Sequence, residues 1–358
     1  MQQNGWEVLT ISADGIEVQE IKEKEGVKHI IIPLTRQISP FTDLLALLKL
    51  IRIIITFKPD IVHSHTPKAG LIGMLAAWLC KVPYRLHTVA GLPLMEYTGW
   101  KRLLLNFTER LTYRLATKVY PNSFQLFEFI KKNLYSDTRK FQVIGKGSSN
   151  GIDVDYFYPA DNLKNKASEI KASLKIPPDA FTFLFIGRLV IDKGIVELVH
   201  AFEEVIKCKD AYLILVGPFE QDLNPLPQNV LDRMTSHPKI KLAGFQKDVR
   251  PYLMASNAFV FPSYREGFPN VVLQAACMEV PIIASNINGC NEIIEHEKSG
   301  LLVRPKDCEE LKVAMLRLLQ SSTEIENYKT VAANYVRTNF SRTHYWNLLL
   351  AEYESLVK

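Results

Sequence analysis

Short apolar segments alternate along the chain with longer segments whose apolar residues recur every three or four positions. The first kind predicts buried strands, and the second predicts amphipathic helices. In the first half, the predicted strands are 7–12, 29–33, 60–65, 84–88, 118–121 and 141–144, and the helices are about 40–57, 67–80, 99–116 and 123–133. This alternation is typical of a parallel, doubly wound α/β sheet.

The second half repeats this pattern. Its predicted strands are 182–187, 212–217, 240–243, 258–262, 281–285 and 300–303, and its helices are about 194–207, 225–235, 248–255, 269–279, 291–296 and 307–320. Residues 161–175 between the halves are polar and carry few large apolar side chains. We therefore predict two Rossmann-like α/β domains, 1–158 and 159–340, and a carboxyl-terminal helix at 341–358 that crosses back to the first domain.

The first domain has an unusual opening. A doubly wound domain usually starts with a central strand and a glycine-rich turn, whereas the apolar segment at 7–12 has the look of a second strand. We therefore expect the sheet of residues 1–158 to lack its first strand.

The composition sets limits on the class of protein. A length of 358 residues and a hydrophobic content of 47% are sufficient for two cores. The five cysteines are odd in number and form no C-x-x-C pair, which argues against disulfides or a zinc knuckle and favours the cytoplasm. The most apolar run, 45–57, is shorter than the roughly 20 residues that cross a bilayer, so it predicts a core or interfacial helix.

The charge is unevenly distributed. Residues 1–150 contain 20 Lys and Arg against 12 Asp and Glu, a net charge of +8, whereas the remainder has 23 against 26, a net charge of −3. A basic first half suits an anionic partner, although scattered solubilising lysines explain it equally well. Nucleic acid is disfavoured because the basic residues are not interleaved with an aromatic stacking platform.

Candidate chemistry lies in the loops that follow the strands, because ligands of open α/β sheets bind beyond the carboxyl ends of the strands. One such loop, 187–194, reads GRLVIDKG and leads into a clearly amphipathic helix. Arg188 and Lys193 therefore lie near a helix amino terminus, where two cations suit a diphosphate. The alternative is a surface loop with two solvated cations.

A second loop lies within 263–276, which reads SYREGFPNVVLQAA. Glu266 projects from a strand-to-helix turn and could accept hydrogen bonds from sugar hydroxyls, while the N–H groups of residues 268–271 are open to phosphate. Gln274 lies one helical turn beyond Asn270, so it could reach the same ligand. A carboxylate that only stabilises the helix dipole, worth about 0.3–1 kcal/mol, would explain Glu266 but not the Gly-x-Pro turn.

Two further loops are candidates. Residues 284–292 read ASNINGCNE, in which Gly289 allows close approach, although an ordinary turn explains them as well. His87 lies at the carboxyl end of the predicted strand 84–88. A lone histidine is usually structural, but one at this end of a strand is better placed than most to face a ligand. His63 and His65 alternate on a strand and form no metal triad, and none of these four loops contains an Asp-x-Asp element to hold magnesium.

The motifs GRLVIDKG, SYREGFPNVVLQAA, PIIASNINGCNEII and SGLLV, with HTVAGLP and GKGSSNGIDVDYF in the first half, carry a family resemblance. Together they resemble the retaining GT-B glycosyltransferases of family 4, also called glycosyl transferases group 1. The similarity extends over nearly the whole chain and is greatest to members that build capsular polysaccharide, O-antigen, lipopolysaccharide and lipid-linked oligosaccharides. It implies two Rossmann-like domains facing across a cleft.

The resemblance also implies a reaction. A sugar would pass from a nucleotide-diphosphate donor, with UDP-hexose or UDP-N-acetylhexosamine favoured, to a glycan acceptor carried on undecaprenyl diphosphate. No cofactor and no metal would be needed. The basic first domain, with the apolar run 45–57 and the helix start Trp100-Lys101-Arg102, would make peripheral contact with anionic lipid at the inner face of the membrane.

The residue roles implied by the resemblance are specific. Arg188 and Lys193 would bind the donor diphosphate, Glu266 would hold the sugar hydroxyls, and His87 would lie beside the sugar, with electrostatic stabilisation in place of a nucleophile. The implied donor-binding residues are Gly187, Gly217, Phe245, Gly267, Phe268, Pro269, Asn270, Val271 and Gln274. Gln274 departs from the family pattern, which has a second Glu there, but an amide can still hydrogen-bond a ribose.

Two other classes remain open. A GT-B nucleotide-sugar epimerase would need additional acid and base groups in the cleft. A nucleotide-binding dehydrogenase, or a binding protein, is disfavoured because no G-x-G-x-x-G follows a strand.

Overall fold

A computed structural model describes residues 1–15, 18, 26–35, 39–92, 99–220 and 224–357. The chain divides into two compact units: Met1–Ser149 with Asn347–Lys358, and Asn150–Trp346. The first unit is called the amino-terminal unit below, and the second the carboxyl-terminal unit.

The division between the units precedes the predicted boundary at residue 158. Ile152 belongs to the carboxyl-terminal unit because its N–H donates to Phe340 O and its carbonyl accepts from Arg342 N, both at 2.7 Å. Phe157 is buried in the core of the same unit. The return to the amino-terminal unit starts at Asn347 rather than at 341, because the division falls inside the last helix, Arg342–Val357.

The amino-terminal unit alternates parallel strands with helices. Its strands are β1 (Leu9–Ser12), β2 (Lys28–Ile31), β3 (Ile61–Ser64), β4 (Tyr84–Val89) and β5 (Lys118–Pro121). Its helices are α1 (Pro40–Phe57), α2 (Pro67–Leu79), α3 (Gly99–Leu115) and α4 (Phe124–Asn133). The predicted strand at 141–144 is wrong: Phe141 makes only an isolated bridge to Val119, and the left-handed Gly145 (φ 57°) turns the chain directly afterwards.

The strands of this unit form two sheets. β1 pairs with β2, and β3-β4-β5 form a second sheet, all in parallel register. Among the described residues of 1–149, no strand joins β1 to β3. Ile11 of β1 and Val62 of β3 nevertheless pack on the same apolar cluster of α1 and α2.

The carboxyl-terminal unit is built on one parallel sheet of six strands in the order β11-β10-β9-β6-β7-β8. These strands are β6 (Thr182–Ile186), β7 (Tyr212–Val216), β8 (Ile240–Gly244), β9 (Ala258–Phe261), β10 (Ile282–Ser285) and β11 (Leu301–Val303). Every residue of β6, β9, β10 and β11 is buried, as expected for a parallel sheet covered on both faces.

Helices cover this sheet. They are α5 (Asn162–Ser173), α6 (Ile195–Cys208), α7 (Gln228–Ser236), α8 (Arg250–Met254), α9 (Asn270–Cys277), α10 (Cys290–Ile293), α11 (Cys308–Gln320), α12 (Ser322–Phe340) and α13 (Arg342–Val357). Helix α12 was not predicted from the sequence, and the segment of α5 was predicted to be a polar connection between the domains. α5 forms because Leu163 and Ala167, one turn apart, are buried and the helix packs against α8, so tertiary packing outweighs its low apolar content.

A membrane-spanning helix was not expected from the sequence. Within the described part of the chain, no helix combines the length and the apolar character needed to cross a bilayer.

Candidate active site

Three loops at the carboxyl edge of the six-stranded sheet are hydrogen-bonded to one another. The first follows β6 and contains a short 3-10 helix, Ile191–Lys193. Its Asp192 carbonyl accepts hydrogen bonds from Tyr264 N (2.9 Å) and Ser263 Oγ (3.3 Å) in the loop after β9. In the loop after β10, Asn288 Nδ2 donates to the carbonyls of Glu266 (3.0 Å) and Gly267 (2.7 Å). The strands thus bring together three of the four loops predicted from the sequence.

Lys193 and Glu266 form an ion pair at the centre of this surface. Lys193 Nζ lies 2.5 Å from Glu266 Oε1, and Ser263 Oγ donates to the same oxygen at 2.8 Å. The two side chains are only 15% and 16% exposed. Because water screens them little, the attraction between the two charges is stronger than in an ion pair on the surface.

Arg188, the second predicted cation, bonds a different carboxylate. Its Nη1 lies 2.6 Å from Glu220 Oε2, and the arginine side chain is 40% exposed. The guanidinium is therefore accessible from solvent and already oriented for an oxyanion. Phosphate oxygens have the same charge and hydrogen-bonding character as the carboxylate it now holds.

The turn after β9 leads directly into helix α9. Pro269 is the residue before the helix, which begins at Asn270, and Pro269 makes no side-chain cap. The first N–H groups of a helix have no partner within it, so those of Asn270 and Val271 are available to an anion. Phe268 is buried against Phe340, with ring centroids 5.2 Å apart, so only its backbone can serve a ligand.

The remaining predicted donor residues lie at the neighbouring strand ends. Gly217 N donates to Gly244 O at 2.9 Å, which ties the end of β7 to that of β8. Phe245 follows β8 with an exposed ring, and Gln274 is half-buried in the second turn of α9. Gly187 and Gly267 lie in the first and second loops. All the residues predicted to bind the donor therefore lie on or beside the carboxyl edge of one sheet, as do Arg188, Lys193 and Glu266.

The prediction that His87 faces a ligand is wrong. Its side chain is 1% exposed, and Nδ1 lies 2.9 Å from Ser64 Oγ. Helix α2 passes so close that a Cβ on Gly70 would lie 2.5 Å from the imidazole. The ring is held inside the amino-terminal unit because β4 directs it against α2, and it is not open to a sugar as predicted. Ala90, just after the strand, is the exposed position there, and Pro93 of HTVAGLP lies outside the described residues.

Burial lowers the pKa of His87 to about 3, with a further lowering by His65 that a hydrogen bond to Ser64 partly offsets. Burial also lowers the pKa of His63, as do His65 and His87. Both rings are therefore neutral in the folded protein, whereas the unfolded chain takes up protons near pH 6.5. The contribution of these two histidines to the stability of the fold is therefore complete above pH 6.5 and is lost progressively as the pH falls towards 3.

As the pH decreases from 6.5, we expect the free energy of unfolding to decrease by up to about 1.4 kcal/mol per pH unit for each of these histidines. Urea unfolding followed by circular dichroism at several pH values measures the slope. His87→Asn should reduce the slope, and His344→Asn, at an exposed position, should leave it unchanged. An unchanged slope in His87→Asn would show that His87 is not responsible.

The prediction that His63 and His65 alternate on a strand needs a correction as well. His65 lies beyond the end of β3, so strict alternation does not apply, and its ring stacks on His63 with centroids 4.3 Å apart. His63 also bonds Tyr353 Oη and Thr88 Oγ1. Within the described ranges, no group of three or more His, Cys, Asp and Glu side chains is placed to hold a metal ion.

Comparisons with known proteins find similarity along the whole chain. Residues 180–321 match the model of the family "Glycosyl transferases group 1", and residues 1–146 match a "Glycosyl transferase 4-like domain". The capsular polysaccharide biosynthesis glycosyltransferase CapM of Staphylococcus aureus is 32% identical over 359 residues, which cover 100% of this chain and 92% of CapM.

The chain belongs to the glycosyl transferases group 1 family.

Two more proteins are similar to this glycosyltransferase. An Escherichia coli enzyme named UDP-Gal:alpha-D-GlcNAc-diphosphoundecaprenol alpha-1,3-galactosyltransferase is 32% identical over 300 residues, with 82% of this chain and 75% of that enzyme covered. The crystal structure of Anabaena Alr3699/HepE in complex with UDP has a TM-score of 0.80 at 19% identity, covering 97% of this chain and 91% of that one. The shared fold is GT-B, with two Rossmann-like domains.

Three residues that shape the site of this glycosyltransferase were not predicted from the sequence: Ser263, Asn288 and Glu220. Ser263 begins the motif SYREGFPNVVLQAA, and Asn288 precedes Gly289, so both had a local signal. A Cβ on Gly289 would lie 2.6 Å from Gly267 O, which shows why these two loops can approach. Glu220 lies in the loop after β7, and no pattern in the sequence marks it as a partner of Arg188.

Proposed function

We propose that this glycosyltransferase is a retaining enzyme that moves a hexose or N-acetylhexosamine from a UDP-sugar to a lipid-linked glycan in the synthesis of a bacterial surface polysaccharide. The observation that carries the proposal is the shielded Lys193–Glu266 pair beside the amino terminus of α9. A sugar nucleotide presents a diphosphate next to a ring of hydroxyls. It therefore requires a cation, free N–H groups and a carboxylate within a short distance.

Each group has a role in this proposal. Lys193 and Arg188 offset the charge that develops on the diphosphate as it leaves, and the first N–H groups of α9 bind phosphate or sugar oxygens. Glu266 accepts hydrogen bonds from the hydroxyls of the transferred sugar. Ser263 and Asn288 hold the Glu266 turn in place, through the carboxylate and the backbone carbonyl respectively.

The acceptor assignment is drawn from the relatives. CapM is named for capsular polysaccharide, and the Escherichia coli relative is named for an acceptor on diphosphoundecaprenol and for UDP-Gal as donor. We infer an undecaprenyl-diphosphate-linked acceptor for this chain as well. An α-glycoside formed from an α-linked sugar nucleotide keeps its configuration, so the α-1,3 linkage in that name supports retention.

We further propose that transfer needs no metal ion and that the enzyme works at the cytoplasmic face of the membrane, in peripheral contact with anionic lipid. The two cations take the place that a divalent ion has in other nucleotide sites. The net charge of +8 on residues 1–150 supports the lipid contact.

A thermal-shift measurement tests the donor class. UDP at about 100 times its Kd should stabilise the protein by about 2.7 kcal/mol, which corresponds to a rise of several degrees in Tm. The rise should be the same with Mg²⁺ and with EDTA. NAD should give no shift, and a shift with NAD but not with UDP would favour the dehydrogenase class.

The transfer reaction requires a second experiment. UDP-hexoses and UDP-N-acetylhexosamines should be incubated with undecaprenyl-diphosphate-linked sugars, and nucleotide release and the anomeric configuration of the product should be measured. Acceptor-dependent release with retained configuration is expected. Epimerisation of the donor without acceptor, or inversion in the product, would contradict the proposal.

A further inference from the structure

Arg188 and Glu220 belong to two chain segments that are tied together at the carboxyl edge of the six-stranded sheet. Leu189 N donates to Pro218 O at 2.9 Å, and Leu189 and Phe219 form an isolated parallel bridge. The backbone next to both charged residues is therefore fixed. Only the torsions of the two side chains are left to change the distance between the guanidinium and the carboxylate.

Glu220 holds Arg188 through a single contact. Arg188 Nη1 donates to Glu220 Oε2 at 2.6 Å, and among the described residues this carboxylate has no other hydrogen bond or ion pair. The two side chains are 40% and 29% exposed. An ion pair this open to water contributes little to stability. The pair is therefore easily broken when a more highly charged anion arrives.

The Lys193–Glu266 pair differs in each respect. Its side chains are 15% and 16% exposed, and Ser263 Oγ donates to the same carboxylate. Glu266 is also assigned to the sugar hydroxyls, whereas Glu220 has no task in the proposed mechanism. Of the two carboxylates that pair with the cations of the site, Glu220 is the one that can give way.

A diphosphate and the Glu220 carboxylate compete for the same cation. Two oxyanions on neighbouring N–H groups of one guanidinium would lie within a few ångströms of each other, where like charges repel. A diphosphate carries more than one negative charge, so its attraction to Arg188 exceeds that of a carboxylate. A monoanion in solution has no such advantage, because the tethered carboxylate has an effective concentration on the order of millimolar.

We propose that Glu220 is a specificity-determining residue that competes with the donor diphosphate for Arg188, so that the site accepts a polyanion in preference to monoanions. The inference rests on the UDP-sugar donor proposed above and deepens it. When the donor binds, its diphosphate displaces the carboxylate. After transfer, the carboxylate returns to Arg188 as UDP leaves, so the same residue weakens donor binding and speeds product release.

Isothermal titration with UDP tests the competition. Glu220→Gln and Glu220→Ala should each lower the Kd of UDP by about threefold to tenfold, the range expected for removing one partly exposed ion pair and one like charge. Both variants are needed because the amide of glutamine can itself donate to phosphate, whereas alanine only removes the carboxylate. An unchanged Kd in Glu220→Ala would overturn the proposal. A higher Kd would overturn it as well, since Glu220 would then orient Arg188.

A matched control and a second background locate the effect. Glu279 pairs with Arg337 at 2.9 Å and is 37% exposed, but it lies between α9 and β10, at the opposite edge of the sheet. Glu279→Gln should bind UDP like wild type. In an Arg188→Gln background, Glu220→Ala should change the Kd of UDP by less than about twofold, because the cation under competition is gone. A full effect without Arg188 would contradict competition at this cation.

Inorganic pyrophosphate and uridine separate this inference from the donor assignment. Pyrophosphate contains the diphosphate alone, so Glu220→Ala should bind it more tightly than wild type, whereas uridine should bind both proteins equally. No UDP binding by wild type would contradict the proposed donor, yet tighter pyrophosphate binding by Glu220→Ala would still support competition. UDP binding by wild type with no gain for pyrophosphate in Glu220→Ala would overturn this inference alone, as would a gain for uridine.

Two consequences of the competition can be measured with Glu220→Ala. UDP should dissociate from this variant more slowly than from wild type, and equal dissociation rates would refute the role in product release. At constant ionic strength, replacing chloride with acetate should raise the Kd of UDP for the variant, because acetate supplies the missing carboxylate. Wild type should be nearly insensitive to the exchange, and an equal effect on both proteins would refute the selectivity against monoanions.

Discussion

The Lys193→Ala variant is expected to lose at least about 100-fold in kcat/KM for sugar transfer, the loss typical of removing one preorganised group that stabilises transition-state charge. The reason is geometric. Lys193 Nζ lies 2.5 Å from Glu266 Oε1 in a largely shielded position, so in the proposed complex it would lie beside both the carboxylate assigned to the sugar and the diphosphate attached to that sugar. Nucleotide release with the donor and acceptor pair found by screening measures the effect.

The matched control is Lys207→Ala at the far end of helix α6, where the side chain is exposed and pairs with Glu204. It should keep wild-type activity. Glu266→Ala should lose activity as severely as Lys193→Ala, while its UDP affinity should change less, since Glu266 is assigned to the sugar. Activity within tenfold of wild type in both site variants would refute the assignment of this pair.

Most of the fold could be predicted from hydrophobic periodicity. Helix α1 and strand β5 have the predicted bounds, because a long amphipathic pattern with Pro40 at its start and a short buried run leave little choice. Helix α5 could not be predicted, since its two buried residues contribute little to a local pattern and its stability comes from packing on α8. The unit boundary was misplaced for a similar reason: Ile152 is fixed by Phe340 and Arg342, far away in the sequence.

The candidate site, too, could be predicted only in part. Lys193 and Glu266 could be found because each follows a buried strand in a parallel sheet, where neighbouring strand ends meet. The 3-10 turn that brings Lys193 to Glu266 is held by Ser263 and Tyr264 through the Asp192 carbonyl, and no sequence spacing encodes such a contact. His87 was misplaced because position along a strand does not reveal which side of the sheet a side chain faces.

A second large effect is expected at Gly217, where Gly217→Ala should reduce the free energy of unfolding by about 3 kcal/mol or more. Gly217 has φ 146°, and a Cβ there would lie 1.8 Å from Gly187 O. That atom is backbone, so it cannot move aside as a flexible side chain would. Either β6 and β7 separate at their carboxyl ends or the loop carrying Arg188 shifts, and UDP binding should therefore weaken as well.

Gly244→Ala separates backbone strain from the clash. Gly244 ends the neighbouring strand β8 with φ 66°, and no heavy atom lies within 4 Å of a Cβ built there. Gly244→Ala should lower the free energy of unfolding by only about 1–2 kcal/mol, the penalty for placing alanine in the left-handed region. Urea unfolding and UDP titration of both variants measure the difference. Equal losses would mean that the strand ends separate easily, and that the clash with Gly187 O adds nothing to the cost of backbone strain.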